Sequence, residues 1–117
     1  MILVDTDALI DSLKKGKRMG DAISVLTMLE YLRGIPEDER EKAKKLLEES
    51  FDVIGLDNNV VLKYCEIYDK LKSKGELIGD ADLIIGATAL AKGMKLLTKN
   101  YKHFKKLEEH GLVLESR

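Results

Sequence analysis

The sequence predicts an α/β protein, a three-layer α/β/α sandwich with a central parallel sheet. Short apolar runs such as "MILVD", "FDVIGL" and "MKLLT" alternate along the chain with longer stretches of helical periodicity. That alternation is the pattern of strands joined by covering helices. The first run is apolar at consecutive positions, as a strand buried on both faces is. The chain has 117 residues, enough for one core.

"MILVD" is the first strand, and a helix follows from about Asp7 with Leu9, Ile10 and Leu13 on one side. "AISVL" is a short strand or a buried turn. "TMLEYLRG" starts a helix at Thr27, because Thr27-x-x-Glu30 has the form of a capping box. In "PEDEREKAKKLLEES" Pro36 opens a surface helix, acids crowd its first turn and lysines follow. "FDVIGL" is a second strand. "DNNVVLKYCEIYDKLKSKG" is a long amphipathic helix closed at Gly75. Cys65 falls in its apolar spacing with Val61, Tyr64, Tyr68 and Leu71, which predicts a packing role. A helix in "LIGDADLIIGATAL" runs to about Lys92, "MKLLT" is a strand, "YKHFKKLEEHG" a short helix and "LVLES" the last strand. With no repeat, low-complexity stretch or linker, residues 1–117 form a single domain.

Composition narrows the function classes. Twenty Lys and Arg against 21 Asp and Glu leave a net charge of −1, so no global basic field draws the protein to polyanions. A single cysteine allows no internal disulfide. No apolar run approaches the roughly 20 residues of a membrane span, and "MILVD" lacks the basic start of a signal peptide. A cytoplasmic protein with no membrane partner is expected.

In open α/β sheets the functional crevice lies beyond the carboxyl ends of the strands. Residues there are Asp5, Thr6 and Asp7 after the first strand, and Thr98, Lys99 and Asn100 after "MKLLT". Helix starts on the same edge hold Glu30, Asp80 and Asp82. If Asp7 caps the first helix, Asp5 is free to face the crevice. Glu30 has two readings, a capping-box residue or a site acid beside Arg33. Gly34, four residues on, favours an approach by another group, since glycine costs a helix about 1 kcal/mol relative to alanine. Asp82 heads a stripe with Gly86, Ala89 and Gly93, small residues that let a neighbouring backbone come close. Asp80 is a cap or a supporting acid. Thr98 and Asn100 fit a turn, with Asn100 capping "YKHF". His103 and His110 stand at no zinc-ligand spacing and are expected at the surface or in packing. No nucleophile elbow, GxGxxG or phosphate loop occurs.

Several carboxylates at one rim repel one another, and a divalent cation relieves that conflict. Oxygen ligands without His or Cys favour Mg²⁺ or Mn²⁺. The chemistry such a site serves is phosphodiester hydrolysis by a metal-activated water.

"VDTDALID", "LTMLEYLRG", "IGDADLIIGATAL" and "LLTKNYKHF" together resemble the four sequence blocks of PIN-domain proteins, most closely the VapC-type toxins of prokaryotic toxin–antitoxin pairs. The resemblance runs from Met1 to about Leu114. It implies the α/β/α PIN fold and a Mg²⁺- or Mn²⁺-dependent endoribonuclease. Asp5, Glu30 and Asp82 match the family's catalytic metal-binding acids. Asn100 takes the fourth position, where the family carries Asp or Asn, and an amide there weakens a second metal site. Thr6 matches the hydroxyl after the first acid, and Lys99 stands where Arg is common. The resemblance further implies a homodimer and a VapB-like antitoxin partner. RNA phosphates would meet Arg33, Lys99 and the basic stretch Lys14–Arg18. Two rivals remain. A PIN fold could bind RNA or protein without turnover. A haloacid-dehalogenase-like phosphatase would use Asp5 as nucleophile, but its Thr and Lys motifs belong between the two acidic blocks, and "LLTKN" follows both.

Overall fold

The computed structural model describes residues 1–115. Its strands are β1 (Ile2–Val4), β2 (Ala22–Ser24), β3 (Asp52–Ile54), β4 (Lys95–Leu97) and β5 (Leu114–Glu115). Its helices are α1 (Thr6–Lys14), α2 (Val25–Arg33), α3 (Arg40–Ser50), α4 (Asn58–Ser73), α5 (Asp80–Lys92) and the single turn α6 (Tyr101–Phe104). Ser116, expected in the last strand, lies outside the described residues.

All the strand pairs are parallel, in the order β3-β2-β1-β4-β5. Leu3 stands opposite Ala22 on one side and Leu96 on the other. The chain winds outward from β1 to β3, then returns to β1's other side as β4. This reversal is the topological switch point, and its carboxyl edge is formed by the residues after Val4 and Leu97.

Alternate residues of β1 divide the core. Leu3 packs with Ile67 and Leu71 of α4 and with Leu83, Ile85 and Ala89 of α5. Val4 packs with Ala8 and Leu9 of α1, Met28 of α2 and Leu47 of α3. A sheet buried on both faces needs two helical layers, which explains the unbroken apolar run in "MILV". The predicted α/β/α sandwich is the fold observed.

Four local expectations are corrected. The helix after β1 begins at Thr6, and Asp5, not Asp7, is its cap. β2 runs straight into α2, so Ser24 caps that helix, its hydroxyl accepting from the Leu26 N–H. Thr27 therefore lies inside the helix and fully buried, and the capping box does not form. After Pro36 a 3₁₀ turn (Glu37–Glu39) precedes α3, which starts at Arg40. Cys65 is exposed, because the buried stripe of α4 is Val60, Ile67 and Leu71, with Tyr64 and Tyr68 half-buried beside it. One residue on from Tyr64 is a turn of about 100°, enough to carry the thiol into solvent.

Candidate active site

Asp5 leaves β1 in an extended conformation, its N–H donating to the Leu97 carbonyl at 3.0 Å across the switch point. The side chain is 2 % exposed. Its Oδ1 accepts from the Ala8 N–H at 2.9 Å, and Oδ2 accepts from the Thr98 hydroxyl. One carboxyl group thus closes α1 and faces the strand-end crevice. Burial pushes its pKa above the ordinary carboxylate range. The Thr98 hydroxyl and the Ala8 N–H oppose that shift, while the charges of Asp7 and Asp82 add to it.

Glu30 reaches the same edge from α2. Its Oε1 accepts from the Thr6 hydroxyl at 2.6 Å, and Thr6 in turn lies 3.2 Å from the buried Thr27 hydroxyl. Arg33 stands beside it, 3.9 Å from the carboxylate. Gly34 is the C-cap just beyond α2, and no neighbouring segment crowds it. The approach expected there does not occur, and Gly34 ends the helix at φ −87°, a conformation any residue adopts.

Asp82 comes from the first turn of α5, where the helix's positive end favours a carboxylate. A Cβ on Gly86, one turn below, would meet Leu107 Cδ1 at 2.3 Å and Phe104 at 3.7 Å. Gly93 faces open space as the left-handed C-cap of α5, while at Gly86 side chains of α6 and of the 3₁₀ turn Lys105–His110, not the backbone expected there, come close. That packing brings His103 to Asp82, with Nδ1 2.8 Å from Oδ2.

Asp5, Glu30 and Asp82, distant along the chain, line one cavity of about 320 Å³. Thr6, Arg33 and Asn100 line it too, with Ile10 and Ile85 as its apolar wall. Asp7, expected as a cap, also lines it, and its carboxylate accepts from the Asn100 amide at 3.2 Å. Asn100 begins α6 without a side-chain cap, so its amide is directed to Asp7 instead. Thr98 lies behind Asp5 and accepts from the Asn100 N–H at 2.8 Å. Asp80 points elsewhere and accepts from the Tyr64 hydroxyl at 2.9 Å.

The basic candidates divide. Arg33 is at the cavity, whereas Lys99 pairs with Asp11 at 3.2 Å and Arg18 lies over the Phe51 ring, 5.4 Å from its centroid. Asp7, weighed among the strand-end residues as a cap, and His103, expected at the surface or in packing, are the residues whose place at the site motif reasoning misses. His103 stands three residues after Asn100, a site position, whereas Asp7 reads equally well as a helix cap. A second cavity of about 320 Å³ lies between the end of α1, α2 and α3. It is lined by Leu13, Leu46, Leu47 and Phe51, and no carboxylate lines it.

The donor set at the strand ends fits a hard dication in its chemistry. The carboxylate and amide ligand atoms are oxygens, and Asp5 is buried with the charges of Asp7 and Asp82 facing it. Among the described residues no three His, Cys, Asp or Glu side chains stand at metal-holding separation. Thr98 and Thr6 hold Asp5 and Glu30 in their present orientations, so binding an ion calls for adjustment of these two side chains, while the His103 contact to Asp82 Oδ2 leaves Oδ1 free.

The PIN-domain pattern matches residues 2–109. Ribonuclease VapC1 of Methanocaldococcus jannaschii is 44 % identical over 116 residues, 97 % of this chain and 85 % of that protein. The structure of VapBC-1 from nontypeable Haemophilus influenzae superposes with a TM-score of 0.82 at 25 % identity, covering 99 % of this chain and 98 % of that one. VapBC2 from Rickettsia felis, solved bound to a DNA fragment from its promoter, gives 0.82 at 23 % identity over 100 % and 99 % of the two chains, a likeness of fold. A matching pattern along nearly the whole chain, a close relative and a shared fold agree, and the chain belongs to the PIN-domain family, among its VapC-type members.

Proposed function

We propose that the protein is a Mg²⁺- or Mn²⁺-dependent endoribonuclease, the toxin of a VapBC-type pair, acting in the cytoplasm. The observation that carries the reading is the convergence of Asp5, Glu30 and Asp82 on one cavity at the switch point. The relative named ribonuclease, 44 % identical, supports the substrate class. Family membership removes the phosphatase alternative.

Asp5, Glu30 and Asp82 would hold the ion. The chemistry a bound divalent ion supplies is neutralisation of charge on a phosphoryl oxygen and acidification of water. The chain's own residues do the rest. Ala8 and Thr98 fix the Asp5 carboxyl group, and Thr6 fixes that of Glu30. Arg33, at the cavity wall and 78 % exposed, would take an RNA phosphate by charge-assisted hydrogen bonds. The Asn100 amide supports the site through Asp7, and its neutrality leaves one fewer carboxylate for a second ion.

Cleavage of an RNA panel with Mg²⁺ or Mn²⁺, with EDTA, and with Asp5→Asn or Asp82→Asn tests the reading. Chelation and both substitutions are expected to stop cutting. Cutting that survives all three rejects it. A non-catalytic PIN module is the second reading, favoured by the hydrogen bonds that already occupy the acids. It predicts RNA or protein binding, without turnover, that persists in EDTA.

A VapB-like antitoxin and a homodimer complete the proposal, supported by the similarity to the VapBC-1 structure. Mass measurement by size exclusion with light scattering, alone and with a co-expressed antitoxin, tests both.

A further inference from the structure

We infer that His103 is a positioning residue for Asp82, one that holds its carboxyl group in the orientation the site uses. The inference rests on the metal-dependent reading above. It starts from Asp82's situation. This side chain is 23 % exposed in the first turn of α5, and the charge of Asp5 faces it across the cavity. Repulsion from Asp5 favours swinging Asp82 outward, away from the position from which it could share a ligand with Asp5.

His103 counters that swing. Its Nδ1 lies 2.8 Å from Asp82 Oδ2. A carboxylate only accepts, so Nδ1 carries the hydrogen and the imidazole donates. The bond fixes the plane of the carboxyl group while Asp82 remains in the cavity wall.

The fold is built to deliver this contact. α6 is one turn long, and its Phe104 is fully buried. Phe104 and Leu107 settle against α5 at Gly86, where a Cβ would collide with Leu107. Gly86 is four residues from Asp82, one turn along the same face. Removing a single side-chain carbon there thus sets the distance between the two helices, and with it the reach of His103. The side chain of His103 is itself 59 % exposed, so the contact adds little to the stability of the fold. Its consequence falls on the carboxylate it holds.

Manganese titration of the full chain, followed by thermal shift, tests the inference. His103→Ala is expected to leave the metal-free melting temperature unchanged and to raise the Mn²⁺ midpoint about 10- to 100-fold, the usual loss when a ligand's hydrogen-bond partner is removed. His103→Asn, whose amide nitrogen stands where Nδ1 stood, is expected to recover most of the affinity, and His103→Leu none. An unchanged Mn²⁺ midpoint in His103→Ala overturns the inference, and if KM for RNA rises instead, the residue contacts substrate. Absence of any Mn²⁺ shift in the wild type, with Asp5→Asn behaving identically, overturns the metal reading and the positioning role together. A wild-type shift that Asp5→Asn abolishes and His103→Ala leaves alone overturns the positioning role only.

Discussion

At Asp5, Oδ1 holds the first turn of α1 while Oδ2 meets the Thr98 hydroxyl at the wall of the cavity. Asparagine keeps an acceptor for Ala8 and removes the charge. Asp5→Asn is therefore expected to fold, and to abolish metal-dependent RNA cleavage, because the ion would lose an anionic oxygen ligand. Its stability should respond to pH in a defined direction. The raised pKa of Asp5 means that the folded state binds this proton more tightly than the unfolded chain does. The ionised group thus disfavours folding above its folded pKa, and that penalty fades as pH falls through it. In EDTA, Asp5→Asn should be at least as stable as wild type at pH 7, with the difference shrinking towards pH 4. Urea unfolding at both pH values checks this, and a difference that grows on acidification would contradict it. Asp5 and Asp82 could be singled out from the residues because each follows or opens an apolar element. Asp7 could not, since whether a residue two places after a strand caps or lines depends on the direction in which the helix leaves.

Helix starts show what local pattern misses. Thr27 and Glu30 have capping-box spacing, yet α2 begins two residues earlier, because β2 ends in Ser24 with no loop between strand and helix. A three-residue strand carries too little periodicity to reveal that junction. Ser24→Ala is expected to destabilise the protein by about 1 kcal/mol, as loss of an N-cap does, measured by urea unfolding. Thr27→Ala should reveal no cap, because its hydroxyl is buried beside Thr6. At the other end of the site, Gly86→Ala gains about 1 kcal/mol of helix propensity but forces the fully buried Leu107 to move. Overpacking of this kind costs about 1–3 kcal/mol. A net loss of about 1 kcal/mol is expected, accompanied by weaker Mn²⁺ binding as His103 is pushed from Asp82. A stabilised Gly86→Ala protein with unchanged Mn²⁺ affinity would contradict the close approach.

Across the whole molecule, the strand order β3-β2-β1-β4-β5 decides which segments meet. Because the chain returns to the far side of β1, the ends of β1 and β4 lie together, and the Asp5 N–H bonds to Leu97. α2 and α5 then present Glu30 and Asp82 at that same edge. A ligand bound only by the assembled edge stabilises the entire fold by mass action, about 2.7 kcal/mol at one hundred times its Kd. Saturating Mn²⁺ is accordingly expected to raise the melting temperature by several degrees, reversibly with EDTA, and Asp5→Asn should abolish the rise. No rise in the wild type would count against an assembled cation site.

Strand and helix alternation, burial of the sheet on both faces and the residues at its carboxyl edge are all determined by the order of apolar and polar side chains, because burial on two faces permits little else. Tertiary structure alone decided how those side chains divide their contacts. It turned Cys65 outward by one helical step, made Asp5 the cap of its own helix, and carried His103 to Asp82 over a glycine. Each outcome depends on the spacing and direction of two packed elements, and a single element's sequence specifies neither.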